Sequence, residues 1–392
     1  MKRIEGGICA VPGVRAAGVR HGKYGLALIA ASGTAAGMFT TNRVRAAPLA
    51  VTASNLAGGR LDGVIANSGC ANAYTGPRGM EDARAMARLM AGFLETNENK
   101  IAVASTGVIG RYLDLEQIQS LFREALAKLG SDGDASLSAE RAIMTTDTRP
   151  KEIAVEHKGL RVAGIVKGAG MIEPNVATML CFLYTDATIS AERLHNCLAD
   201  AVADSFNMLT VDGDTSTNDT VLITATGGAN GREEDFREAL SYVCMELARM
   251  MARDGEGASK YFEVVVSGAA SEKDARLAAK AVARSSLVKT AVYGADPNWG
   301  RIICAVGYSG AEMDPDRITL GLEGESKEGG SLAVSLVERG RIVDGVLERA
   351  QEIMKGEEII INIDLGLGSA GARGFGCDLT HEYVNVNANY TT

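Results

Sequence analysis

The chain predicts a mixed α/β fold, α+β in arrangement, with helices layered on sheets and two domains. Three observations carry this expectation. Short apolar or β-branched runs alternate with amphipathic segments along the whole sequence. Several strand-like runs follow one another directly, which favours packed layers over a strictly wound sheet. And 392 residues exceed what one ordinary hydrophobic core holds.

KYGLALIAA, AAGMFTT and DGVIANSG read as three early strands. Met80 to Thr96 reads as a helix with Met86, Met90, Phe93 and Leu94 on one face. IAVAS, residues 101–105, is a buried strand. Asp114 with Gln117 three residues on has the pattern of a capping box, and Gly130 stands where a helix-ending glycine belongs. EIAVEH and LRVAGIV form a strand pair turning through Lys158-Gly159. MLCFLYTDA is a strand, Ser190 to Leu209 a helix, and TVLITATGG a strand. Arg232 to Arg253 is a long helix stopped at Gly255. FEVVVSGA precedes a helix from Glu272 to about Ser286, and RIICAVG, RITLGL, SLAVSL and EIIINIDL all read as strands. There is no Pro- or Ser-rich linker, sequence repeat or low-complexity tract.

Composition narrows the function classes. The net charge is −9 with no Lys/Arg block, which argues against nucleic acid and anionic membrane as partners. Seven cysteines are scattered singly with no C-x-x-C pair, so a reducing compartment is expected, without a disulfide scaffold or zinc site. No stretch approaches 18 continuous apolar residues; no signal peptide or membrane span is expected, and the location is expected to be cytoplasmic.

Each motif has a bland reading beside a chemical one. GLGSAGARGFG, Gly366 to Gly376, contains G-x-G-x-x-G after a strand, but only 16 extended-looking residues follow, so a tight glycine turn is preferred over a dinucleotide site. VDGDTSTNDT, Val211 to Thr220, alternates oxygen side chains but lacks the glycine and glutamate of a calcium loop, so a polar turn that orders a site by hydrogen bonds is preferred. His21, His157, His195 and His381 stand apart from any nucleophile elbow. STGVIG, Ser105 to Gly110, is either a plain turn after a strand or an oxyanion hole. DGEGASK, Asp254 to Lys260, is either a solvated turn or a glycine-flanked approach to a ligand through Glu256.

Eight motifs stand in order: STGVIG at 105–110, TTDT at 145–148, KGAGMI at 167–172, ATML at 177–180, DGDTSTND at 212–219, DGEGA at 254–258, DPNWGR at 296–301 and the terminal NANYTT at 387–392. Together they resemble the ornithine acetyltransferase (glutamate N-acetyltransferase) family of arginine biosynthesis, from near residue 60 to the last. The resemblance implies the layered sandwich shared with self-processing aminopeptidases. It implies a precursor cut between Ala177 and Thr178 into an α chain, 1–177, and a β chain, 178–392, which remain together as an α2β2 heterotetramer.

The resemblance further implies that Thr178 is the nucleophile and that Thr106 and Gly107 form the oxyanion hole. Thr145, Lys167, Thr178, Glu256, Asn387 and Thr392 become substrate-contacting positions. The implied reaction moves acetyl from N2-acetylornithine to L-glutamate by a ping-pong cycle, with acetyl-CoA as a second donor in some relatives. The partners are small amino acids, with no bound cofactor and no metal. A threonine at a new N-terminus suits this chemistry, because its own α-amine, of ordinary pKa about 7.7–8.0, is a base near neutral pH. Charge complementarity pairs Lys167 with a substrate carboxylate and Glu256 with an amine. The rival readings are a self-processing aminopeptidase of the same fold group, which typically uses serine, an uncleaved binding protein, and a nucleotide-dependent oxidoreductase.

Overall fold

The computed structural model describes residues 1–173, 179–325 and 330–388. They form two compact units, one within residues 1–207 and 214–251 and one within 208–213 and 252–388, each with its own sheet. The strands of the first unit are β1 (Lys2–Ile4), β2 (Arg15–His21), β3 (Tyr24–Phe39), β4 (Arg60–Ser68), β5 (Ile101–Ser105), β6 (Glu152–His157), β7 (Leu160–Lys167) and β8 (Leu180–Ala187). After β9 (Leu209–Thr210), which belongs to the second sheet, β10 (Thr220–Ala229) completes the first. Its helices are α1 (Ala47–Leu56), α2 (Gly76–Leu94), α3 (Leu115–Leu126), α4 (Gly133–Ile143), α5 (Ala191–Asp204) and most of α6 (Glu233–Arg253).

The first sheet runs β1-β6-β7-β8-β10-β3-β4-β5, with β2 also pairing β3. AAGMFTT and KYGLALIAA are not two strands but one, β3, whose pairing with β4 shifts register between Ala30 and Gly33. The first part of β3 pairs with β2 and β4, the last part with β10. Ile29, Val64 and Ala102 of one half of the sheet share a core with Ile165, Phe182, Tyr184 and Leu222 of the other. The opposite face of the β3–β5 half, carrying Leu26, Leu28, Ile65 and Val103, is covered by Met86 and Met90 of α2 and Leu121 and Phe122 of α3. Two-residue alternation along β3 thus buries both faces. On the other half, Gly164 of β7 leaves room for Val243 and Leu247 of α6. The two halves of the one sheet thus pack on a shared core with helices on their outer faces, a layered α/β arrangement.

The second unit carries β9 with β11 (Tyr261–Ala269), β12 (Thr319–Glu325), β13 (Ser331–Glu338), β14 (Arg341–Ile342), β15 (Glu358–Asp364) and β16 (Ala370–Cys377), ordered β14-β13-β12-β15-β11-β16-β9. Its helices are α7 (Glu272–Arg284), α8 (Ser286–Tyr293), α9 (Trp299–Gly307), α10 (Leu347–Met354) and α11 (His381–Ala388).

Further local expectations fail. RIICAVG is the helix α9, not a strand; Ile302, Ala305 and Val306 are buried at helical spacing, and short apolar runs fit either period. The residues after Gly376 are not all extended, because α11 occupies 381–388. Phe93, placed on the buried face of α2, is exposed, while Ala83, Met86, Ala87 and Met90 are buried. Asp114 does cap α3, accepting from Gln117 N–H at 3.0 Å.

Candidate active site

Sequence places STGVIG immediately after β5, at its junction with β4. Asn67 and Ser105 are paired in the parallel β4–β5 ladder, and Ser105 Oγ donates to Asn67 Oδ1 at 2.6 Å. Asn67 Nδ2 reaches the Cys70 carbonyl at 2.9 Å, and Thr106 N–H the Asn67 carbonyl at 3.0 Å. The loops after the two strands are thereby tied together. Gly107 has φ +127°, and a Cβ there would run into the backbone of Gly69 and Cys70. Only glycine fits this close approach. The Gly107 N–H has no acceptor among the described residues.

The turn 212–219 orders the same region, as expected of a polar hydrogen-bonding turn. Asn218 is buried, and its Nδ2 donates to the carbonyls of Ala71 at 2.6 Å and Ser105 at 2.8 Å. Asp219 Oδ1 accepts from Met179 N–H at 3.1 Å, and Thr220 N–H donates to the Met179 carbonyl at 2.9 Å. Burial pushes the Asp219 carboxyl well above the usual range.

Lys167 ends β7 and is buried. Its Nζ donates to Thr145 Oγ1 at 2.9 Å and Thr106 Oγ1 at 3.3 Å, so three residues expected in the site meet. Asp147 lies beneath them. Its Oδ1 accepts from Lys151 Nζ at 2.7 Å and Gly168 N–H at 2.6 Å. Its Oδ2 accepts from Thr145 N–H at 2.9 Å and stands 3.9 Å from Lys167 Nζ. Burial opposes ionisation of Asp147, but the ammonium groups of Lys167 and Lys151 overcome it and hold the carboxyl well below its usual range.

Ala177, Thr178 and Thr392 lie outside the described residues. Met179 is described, and its N–H and carbonyl are both held as given above. Glu256 and Asn387 belong to the second unit, where Asn387 Nδ2 donates to Glu256 Oε2 at 2.8 Å. The DGEGA turn meets the start of α11 through Thr380 Oγ1, which donates to the Gly257 carbonyl at 2.6 Å. His157, Asp235 and Glu238 form the one group of potential metal ligands among the described residues, but Lys158 Nζ sits 2.6 Å from Asp235, as in an ordinary ion-pair cluster.

Sequence reasoning did not single out Asn67, Asp147 or Lys151. Asp147 stands inside the TTDT motif, which was a usable signal; Lys151 has none.

A buried ammonium group bonded to a hydroxyl, next in sequence to the backbone N–H of Gly107, is an arrangement suited to stabilising charge on a reacting carbonyl, as acyl transfer requires. The ArgJ family model matches residues 12–392. The chain is 51% identical to the glutamate N-acetyltransferase of Methanothermobacter thermautotrophicus, an alignment covering 100% of this chain and 99% of that one. It is 50% identical to the arginine biosynthesis bifunctional protein ArgJ of Archaeoglobus fulgidus, covering 98% and 100%. A crystal structure of arginine biosynthesis bifunctional protein ArgJ from Bacillus halodurans covers 53% of this chain and 98% of its own, at 39% identity and a TM-score of 0.49. The chain belongs to the ArgJ family, an acyltransferase family of arginine biosynthesis.

Proposed function

We propose that the protein is a self-cleaving N-acetyltransferase that moves acetyl from N2-acetylornithine to L-glutamate through an acetyl-threonine intermediate. The observation that carries this reading is the meeting of Lys167, Thr106 and Thr145, with Gly107 next in sequence to Thr106, at the end of the strand that leads toward Ala177-Thr178.

Maturation begins when Thr178 Oγ attacks the Ala177 carbonyl and the Ala177–Thr178 C–N bond breaks. An ester replaces the amide, and water hydrolyses it, leaving a free α-amine on Thr178. Glycine at 168 and 170 gives the preceding turn conformational freedom, and Met171 adopts a left-handed φ of +56°, which is costly for a side chain with a Cβ. Asp219 and Thr220 grip both backbone groups of Met179, the residue after the nucleophile.

The cut would not separate the products. β7 and β8 flank it and pair antiparallel, with Lys167 opposite Leu180. β8 and β10 of the later chain lie between β7 and β3 of the earlier one, so the two chains share one sheet. This supports an αβ pair as the working unit; the α2β2 assembly remains part of the proposal.

In transfer, Thr178 Oγ attacks the acetyl carbonyl while the α-amine takes its proton. The oxyanion accepts from Gly107 N–H and the Thr106 hydroxyl. Thr106 Oγ1 already accepts from Lys167, which turns its own O–H outward as a donor. The tetrahedral species collapses, ornithine leaves with the proton, and the glutamate amine then repeats the attack on the acetyl ester. Lys167 meets the amino-acid carboxylate, with Thr145 beside it. Glu256, Asn387 and Thr392 are the proposed remaining contacts, with Glu256 for an amine.

The test is incubation of purified protein with N2-acetylornithine and glutamate, following N-acetylglutamate and ornithine in equal amounts. An arm with acetyl-CoA in place of N2-acetylornithine tests the second donor, and a peptide arm tests the aminopeptidase reading. Release of amino acids from peptides without acetyl transfer would replace the proposal.

A further inference from the structure

In the second unit, the DGEGASK turn is held along its length by residues 377, 378 and 380, at the end of β16 and the start of α11. Gly255 packs on Cys377, so that a Cβ at 255 would fall 2.6 Å from the Cys377 Sγ. Asp378 is buried, and its Oδ1 accepts from the N–H groups of Ser259 at 2.8 Å and Lys260 at 3.0 Å. Its Oδ2 accepts from Ser259 Oγ, and its own N–H donates to the Lys260 carbonyl at 3.0 Å. Thr380 is buried as well. Its Oγ1 donates to the Gly257 carbonyl at 2.6 Å and accepts from the N–H groups of Glu382 at 3.1 Å and Tyr383 at 3.2 Å. One hydroxyl therefore caps α11 and ties the helix to the turn.

The tie sets the direction of Glu256. That residue stands between Gly255 and Gly257, where the backbone has the most freedom to lose. Gly257 has φ +66°, and a Cβ there would fall 2.3 Å from Tyr383 N, so the turn lies directly on the first turn of α11. Further along the helix, Asn387 Nδ2 donates to the Tyr383 carbonyl at 3.1 Å and to Glu256 Oε2 at 2.8 Å. The Glu256 carboxylate is thus held by α11, and the backbone beside it is held to the cap of the same helix.

We propose that Thr380 is a positioning residue for Glu256. Its hydroxyl fixes the turn against α11, so that Asn387 meets Glu256 and holds the carboxylate toward the amine of the substrate. In N2-acetylornithine that amine is the side-chain one, because the α-nitrogen is acylated. The proposal rests on the acetyltransferase reading above and deepens it, since it names what fixes the carboxylate that recognises this donor.

The experiment compares the wild type with Thr380→Val, Thr380→Ser, Gly257→Ala, Glu256→Gln and the double variant of Thr380→Val with Glu256→Gln, each measured per cleaved chain. Thr380→Val removes the hydroxyl and nearly keeps the shape. KM for N2-acetylornithine should rise about tenfold, as for a charged hydrogen bond put out of place, with kcat changed far less. Thr380→Ser should return most of the affinity, because the hydroxyl returns. Gly257→Ala pushes the turn off α11 with the hydroxyl still present, and should raise KM in the same way. Glu256→Gln should raise KM by itself, and Thr380→Val should add little in that background, since it acts through Glu256.

Unchanged KM in Thr380→Val, or an equal loss in Thr380→Ser and Thr380→Val, would overturn the proposal. So would a Thr380→Val effect as large in the Glu256→Gln background as in the wild type. Loss of the folded state in both Thr380→Val and Gly257→Ala would overturn it too, by making the tie purely structural. Wild-type KM in Glu256→Gln would remove Glu256 from amine recognition and the proposal with it. A wild type that transfers no acetyl would overturn the functional reading itself, and is told apart by needing no variant.

Discussion

Replacing Thr106 by valine is the sharpest single perturbation of the proposed oxyanion hole. The side chains are nearly isosteric, so the buried position keeps its volume and no cavity opens. Two things are lost. Lys167 Nζ gives up its 3.3 Å contact but keeps the 2.9 Å bond to Thr145, so the stability cost is modest, about 1–3 kcal/mol. The reacting oxygen loses one of two donors, which typically costs about 10²–10³ in kcat. Because the charge on that oxygen exists only in the transition state, KM should move little. The proposed self-cleavage would pass through an oxyanion of the same kind and should slow in parallel. The assay pairs steady-state transfer on cleaved protein with a time course of cleavage after synthesis. A kcat close to wild type would refute the role of the hydroxyl. Slowed transfer with untouched cleavage would refute a shared oxyanion hole.

Three further outcomes are expected. The kcat/KM for transfer should rise with pH as the Thr178 amine loses its proton, with a midpoint near its ordinary pKa of about 7.7–8.0; a profile flat from about pH 6 to 9 would assign the base elsewhere. Burial raises the folded pKa of Glu140 to about 9, so its neutral form is favoured by folding, and the stability it permits is full below the ordinary carboxylate pKa and declines as pH rises toward 9. The melting temperature of Glu140→Gln relative to wild type should therefore climb from pH 5 to 9, and a pH-independent difference would contradict the burial argument. Deleting Asn387 to Thr392 removes the partner of Glu256; it should leave folding and cleavage intact, raise KM strongly and lower transfer, whereas unchanged kinetics would remove the tail from the site.

Much of the layered fold was legible because both faces of its strands are buried and its helices carry clear apolar stripes. The cap at Asp114 and the long helix ending near Gly255 were equally readable. What was not legible has physical reasons. The continuity of β3 depends on a register shift near Gly33, which looks like a strand break in sequence. RIICAVG satisfies two periods at once. α1 and α4 carry weak local signals: α1 has no side-chain cap, and α4 packs largely through alanines. In the site, the meeting of Lys167, Thr106 and Thr145 came only from resemblance, since residues 106, 145 and 167 sit on separate loops and strands. Lys151 was invisible, because a buried lysine reads as a surface one until its carboxylate partner is seen.

In the proposed reaction Thr178, freed by self-cleavage, carries the acetyl group. Intact-mass analysis of the purified protein, before and after brief exposure to N2-acetylornithine without glutamate, tests it directly. Two chains of 177 and 215 residues are expected. Only the longer one, beginning at Thr178, should gain a single acetyl group, and glutamate should then remove it. A single uncut chain of 392 residues, or an acetyl group found on any other residue, would contradict it.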